Sequence, residues 1–180
     1  TYREQKKLKM TPAHRAALEG YTMNQYRMIN PAMENNTDWL KSNIADEHIP
    51  KRTKDFAKTP SGLQQIVEDN KEIGNMTRDA LSKLPRWQHE GTIYRGESIS
   101  EAEAAKVDVG YVRRFNMFVS TSKDKDFPMS MANANRSEER PYAIHYSITA
   151  STKGRDIAPF SAAPGEQEIL FAPRTSFQVT

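Results

Sequence analysis

The chain has 180 residues, 37% of them hydrophobic and 27% charged, with a formal net charge of +3, enough for one domain with its own core and a strongly polar surface. No apolar run is long enough to cross a membrane, and the absence of cysteine excludes a disulfide scaffold and a Cys-ligated zinc site. The fold must therefore stand on packing alone, which suits work in a reducing cytosol.

The first residues carry a basic cluster, Arg3, Lys6, Lys7 and Lys9. With no aromatic residues interleaved it reads as a solvated terminus, and no nucleic-acid partner is expected. No basic-then-apolar signal segment opens the chain, and Thr1 in place of Met is what a released or shortened piece would carry. Thr11-Pro12 has the form of an N-cap followed by proline at the first helical position, with Gly20 as the stop. Met23, Tyr26 and Ile29 then recur at helical spacing until Pro31, which is expected to end the run. Thr37-Asp38 leads into Trp39, Leu40 and Ile44. Thr59-Pro60 repeats the cap-plus-proline start, with Leu63, Ile66 and Val67 as its apolar stripe; Met76, Leu81 and Leu84 continue a helix that Pro85 closes. Residues 1–85 are thus expected to be mainly helical.

From Gly91 the texture changes to short β-type runs: 92–95, 115–120, 142–148, 169–171 and 176–179, separated by Gly, Pro, Asn, Asp and Ser clusters. A block of helices followed by a block of strands predicts an α+β fold, with residues 86–180 as its β-core.

Three sites in the second half can carry chemistry. In Tyr94-Arg95-Gly96-Glu97, an arginine on an apolar strand needs an anionic partner, and a diphosphate fits its planar donor fork; a surface arginine on an edge strand is the plainer alternative. Phe118-Val119-Ser120-Thr121-Ser122 ends a strand on three hydroxyls, which can hold a sugar, orient a carboxylate, or cap a helix beginning at Lys123-Asp124. In Gly165-Glu166-Gln167-Glu168-Ile169-Leu170-Phe171, a strand would put Glu166 and Glu168 on one face roughly 7 Å apart. Paired carboxylates raise the pKa of at least one member and suit acid/base work, but they also suit an acidic strand edge that discourages pairing. His14, His48, His89 and His145 are scattered without metal-ligand spacing, and no metal is expected.

The order of these sites, strand-Arg, strand Ser-Thr-Ser, then Glu-x-Glu, resembles the R-S-E class of mono-ADP-ribosyltransferases, bacterial toxins and effectors among them. Tyr21-Thr22, Tyr26 and Ile29-Asn30 resemble the helix that lines the NAD cleft in the binary toxins of that class, so the likeness runs over nearly the whole chain as one catalytic domain. It implies a split, mostly antiparallel β-core and transfer of ADP-ribose from NAD, as co-substrate, to an arginine of a target protein. It implies that Arg95 binds NAD phosphate with Gly96 beside it, that Ser120 holds the catalytic Glu168 with Thr121 adjacent, and that Tyr26 and Asn30 also touch NAD. Glu166 would be the second glutamate, linked to arginine as acceptor, and Phe160 would touch the target protein. Such a domain is expected to be secreted or injected, to act in the target-cell cytosol, and can be matched by an immunity protein. One departure is visible: relatives often carry an aromatic followed three residues later by arginine, whereas Phe127 is followed by Pro128, Met129 and Ser130; Arg136 is the nearest substitute. The alternatives are an NAD glycohydrolase, an RNA-directed ADP-ribosyltransferase and a non-catalytic basic binding module.

Overall fold

The computed structural model describes residues 8–88, 91–149 and 153–180. Arg3, Lys6, Lys7 and His89 lie outside the described residues. The chain divides into two compact units: residues up to Leu84 together with Phe160–Ala162, and Pro85–Pro159 together with Ala163–Thr180.

The helical unit opens with α1 (Pro12–Gly20), capped by Thr11 as its Thr-Pro signal predicts. The Thr11 N–H donates to His14 Nδ1 (3.0 Å), so the ring proton sits on Nε2 and is given to Asp79 (2.7 Å). Asp79 belongs to the long helix α5 (Pro60–Lys83), so one histidine both caps α1 and ties it to α5. Gly20 does not stop the chain's winding. A π-type turn (Tyr21–Gln25) follows, broken at Met23 and at Asn24, whose φ is 78°; asparagine tolerates that left-handed conformation better than most residues.

Next comes α2 (Tyr26–Met33), which runs through Pro31 instead of ending there. A proline inside a helix frees the carbonyl four residues back. That carbonyl belongs to Arg27, and it accepts a hydrogen bond from the Asn43 side-chain amide of α3 (Thr37–Ile44). A tertiary contact thus satisfies the acceptor that Pro31 frees. Helix α4 (Lys51–Ala57) buries none of its residues. Thr59 caps α5 as expected, accepting from Gly62 N–H at 3.0 Å. Leu40, Ile44, Ile66 and Val67 form one buried apolar cluster of this unit.

The second unit is built from strands β1 (Ile93–Ile99), β2 (Val112–Phe115), β3 (Val119–Ser122), β4 (Tyr142–Ile148), β5 (Arg155–Asp156), β6 (Glu168–Phe171) and β7 (Thr175–Gln178), with helices α6 (Glu101–Ala104) and α7 (Asp126–Ala134). They form a five-stranded sheet in the order β4-β1-β3-β6-β5 and a two-stranded sheet β2-β7, with antiparallel pairing throughout. This is the expected α+β architecture with a split antiparallel core. The run 115–120 is not one strand, however. The chain leaves the small sheet at Phe115 and enters the large one at Val119. The bend lets Phe115 pack edge-on to Phe177 while Val119 joins Trp87, Ile93, Ile169 and Phe171 in the same core.

Strand alternation sorts β1. Ile93, Arg95, Glu97 and Ile99 share one face, and Tyr94, Gly96 and Ser98 the other. Helix α7 covers the second face so closely that a Cβ at Gly96 would stand 1.9 Å from the Pro128 carbonyl oxygen. Ser98 Oγ donates to Ala132 O at 2.7 Å. Gly96 is therefore explained here by helix packing, and no cofactor is needed to account for it.

Candidate active site

The sheet unit brings Arg95, Ser120, Thr121, Glu166 and Glu168 together. Strands β3 and β6 are direct neighbours, with Ser120 opposite Leu170 and Ser122 opposite Glu168. Ser120 is exposed, and its hydroxyl donates a short hydrogen bond to the Glu168 carboxylate. Arg95 Nη1 donates to the Ser120 carbonyl oxygen at 3.0 Å. Residue 120 thus joins the arginine to the glutamate, main chain on one side and side chain on the other.

All three hydroxyls of β3 point their protons at the same stretch of chain. Thr121 Oγ1 donates to Ile169 O and Ser122 Oγ to Glu166 O, both at 2.7 Å. Thr121 is buried, and its hydroxyl clamps β3 to β6. Ser122 also accepts from Asp124 N–H (2.9 Å), so the third hydroxyl serves the turn after β3; the helix itself starts at Asp126, not at Lys123.

One expectation is corrected. Glu166 is not on the strand, and alternation does not put it on one face with Glu168. It ends a 3₁₀ turn (Pro164–Glu166), and Gln167 then takes a left-handed conformation with φ 48° before β6 begins. The Gly165 and Pro164 before it favour a turn, and Ser122 and the Lys123 N–H hold the carbonyls of Glu166 and Gln167.

Glu168 is only 5% exposed. Burial pushes its carboxyl up to about 7; the charge of Glu166 adds to the rise and the Ser120 hydrogen bond opposes it. Burial alone raises Glu166. The charge of Glu166 therefore reaches the Glu168 carboxyl despite the turn between them. A buried carboxylate poised near neutrality is suited to facing a developing positive charge. Activity that needs the Glu168 carboxylate should rise with pH through about 7 as the proton leaves. A pH profile of that activity that stays flat from about pH 5.5 to 8.5 would contradict this.

Sequence reasoning missed the groups beside Arg95. Glu97, on the same face of β1, meets three donors: Arg113 of β2 in a close ion pair, the Tyr146 hydroxyl of β4 at 2.8 Å and Arg95 at 3.4 Å. Arg113 also donates to Tyr146 Oη (2.9 Å). Strand register explains Tyr146, which lies opposite Arg95. No local signal could have announced that pairing. Desolvation, followed by the charge of Glu97, raises the Tyr146 phenol, so it stays a donor.

Three of the remaining expected residues belong to the helical unit. Tyr26 is 38% exposed on the helical unit. Asn30 is buried there, and its side-chain amide donates to Tyr21 Oη at 3.3 Å. Phe160 is half-buried at the end of the 3₁₀ turn Ala158–Phe160 and groups with the helical unit. Arg136 donates from Nε to Pro141 O (2.7 Å) just beyond α7. Among the described residues no cluster of three His, Cys, Asp or Glu could hold a metal ion, and no helix is long and apolar enough to cross a membrane.

The model of one protein family, the ADP-ribosyltransferase exoenzymes, matches residues 1–180. The chain is 30% identical over 114 residues to Vis of Vibrio splendidus strain 12B01, assigned as an NAD(+)–arginine ADP-ribosyltransferase; the match takes in 62% of this chain and 45% of Vis. It is 35% identical over 100 residues to a protein of the same assignment, Mav of Mycobacterium avium strain 104, covering 56% of this chain and 11% of Mav. The chain thus matches less than half the length of either curated relative. Among solved structures, Vis in complex with agmatine superposes with a TM-score of 0.69 at 22% identity, over 94% of this chain and 67% of that one. The Salmonella SpvB domain follows at 0.57 and 20%, over 92% and 78%. At those identities the likeness is one of fold.

Proposed function

Since the chain belongs to the ADP-ribosyltransferase exoenzyme family, we propose that it transfers ADP-ribose from NAD to an arginine side chain of a target protein and releases nicotinamide. The observation that supports this best is the buried Glu168 carboxyl, tied through Ser120 to Arg95 and lying within electrostatic reach of Glu166. The agmatine bound to Vis, an arginine analogue on a protein of the same fold, supports arginine as the acceptor.

In the proposed reaction Arg95 holds the NAD diphosphate. The bond between nicotinamide and ribose breaks, its electron pair leaves with nicotinamide, and the ribose carbon becomes oxocarbenium-like. Glu168, oriented by Ser120, stabilises that cation, as carboxylates do in glycoside cleavage. Glu166 orients the incoming guanidinium and takes the proton it loses as the new carbon–nitrogen bond forms. Arginine's pKa above about 12 makes such a base necessary. Tyr26, Asn30 and Phe160 keep their roles toward NAD and target on the strength of the resemblance. We further infer that the domain works in the cytosol of a target cell after secretion or injection; a chain without cysteine needs no oxidising compartment.

The decisive assay offers labelled NAD with and without agmatine, and scores nicotinamide release beside label on the acceptor. Agmatine labelling supports transfer to arginine. Nicotinamide release with no labelled acceptor makes the protein a glycohydrolase, and an absence of both removes the proposal. Within this scheme Arg95→Lys keeps the charge but loses the planar fork, so the Kd for NAD should rise about tenfold. An unchanged Kd by calorimetry would return Arg95 to a structural role.

A further inference from the structure

The sequence poses a difficulty for an anion-binding Arg95. Glu97 lies two residues on, on the same face of β1, and a neighbouring carboxylate competes for the guanidinium that a diphosphate would need. The structure resolves the competition through residues from two other strands. Arg113 forms the close ion pair with Glu97, and the Tyr146 hydroxyl adds a second donor at 2.8 Å. Arg95 Nη2 stands 3.4 Å from the same carboxylate, well beyond the roughly 2.7–2.9 Å of a firm charge-assisted bond. Both guanidiniums lie against the Phe115 ring, Arg95 at 5.4 Å and Arg113 at 4.9 Å from its centroid. The cluster holds two positive charges and one negative, and the positive charge held less closely by Glu97 is Arg95, whose Nη1 is given to the Ser120 carbonyl instead. The Arg95 Nε is buried with no hydrogen-bond partner, a donor left unused within the protein.

We propose that Arg113 and Tyr146 are positioning residues for NAD binding: they engage the Glu97 carboxylate and so keep the Arg95 guanidinium open to the diphosphate. The inference rests on the reading of Arg95 as the NAD anchor. Without Arg113, Glu97 closes on Arg95 and NAD binds less well; without the Glu97 charge, Arg113 is no longer needed.

The test is calorimetric NAD binding to the whole chain, with thermal melting as a check on folding. Arg113→Met should raise the Kd about tenfold, and adding Glu97→Gln should bring it back to within about threefold of wild type. A residue that merely stabilised the fold would show no such rescue. A single variant within about twofold of wild type, or a double variant no better than the single, would overturn the proposal. If Arg113→Met does not melt cooperatively, Tyr146→Phe replaces it, with about threefold weakening expected and recovery when Glu97→Gln is added; absence of either result also overturns it. Arg95→Lys is measured in parallel. An unchanged Kd there removes the anchor reading and this inference with it, whereas a weakened Kd beside an unaffected Arg113→Met removes this inference alone.

Discussion

Glu168→Gln should lower nicotinamide release and ADP-ribosyl transfer together by roughly a thousandfold, because what it removes is a preorganised charge facing the ribosyl cation. The amide keeps the shape and can still accept the Ser120 hydrogen bond, so the β3–β6 pairing has no reason to loosen. Stability should move the other way. The folded pKa of about 7 lies above the ordinary 4.5, chiefly through burial. A carboxyl whose folded pKa is raised favours folding while protonated, and that contribution fades as the pH climbs from about 4.5 through 7. Above this window the folded protein carries a buried charge that the unfolded chain would hydrate. The glutamine variant should therefore melt no lower than wild type, and the gap in its favour should widen between pH 5 and pH 8. Kinetic assays and melting curves on the same preparation decide the matter. Retention of a tenth of wild-type nicotinamide release, or a variant markedly less stable at pH 8, would count against the assignment.

Glu166→Gln should separate the two activities. Transfer to agmatine is expected to fall at least a hundredfold, the usual loss when a general base is removed, while slow NAD hydrolysis continues. The geometry makes the separation sharper than a shared strand face would. Glu166 sits in its own turn, held by its carbonyl to Ser122, and Gln167 divides it from the strand that carries Glu168. The substitution therefore leaves the Ser120–Glu168 bond untouched. It also removes a like charge, so the Glu168 carboxyl should titrate slightly lower and hydrolysis should persist to slightly lower pH. If release and transfer fall in parallel, Glu166 belongs to the NAD half of the reaction. If transfer continues at full rate, the acceptor is not arginine or Glu166 is structural.

What could be read from the sequence follows from how local each determinant is. The Thr59-Pro60 cap and the run Tyr142–Ile148 were legible because propensity and pattern fix them within a few residues. Helix α6 carries a local signal too, the Ser100 and Glu103 capping box. Pro31 misled because its compensation comes from Asn43, a residue on another helix. The stretch 115–120 misled because two sheets share it, and apolar residues suited to either give no sign of the bend. Ser120 and Glu168 were found through the order of their motifs, not through any local rule linking two residues 48 apart. The Glu97, Arg113 and Tyr146 cluster had no such guide, since it depends on the register of β1 with β4 and on the approach of the second sheet.

The distance along the chain between the partners of β3 and β6 also bears on when the proposed site is assembled. Closing loops of this size costs entropy before any contact rewards it, and sheets paired across long separations form slowly. Helices such as α5 can gather within their own stretch of chain, but no segment by itself contains a working centre. Ser120 without β6 is a hydroxyl in solvent, and Glu168 without β3 is an ordinary acid. The proposed chemistry therefore exists only while β3 and β6 are paired, and it goes when that pairing opens.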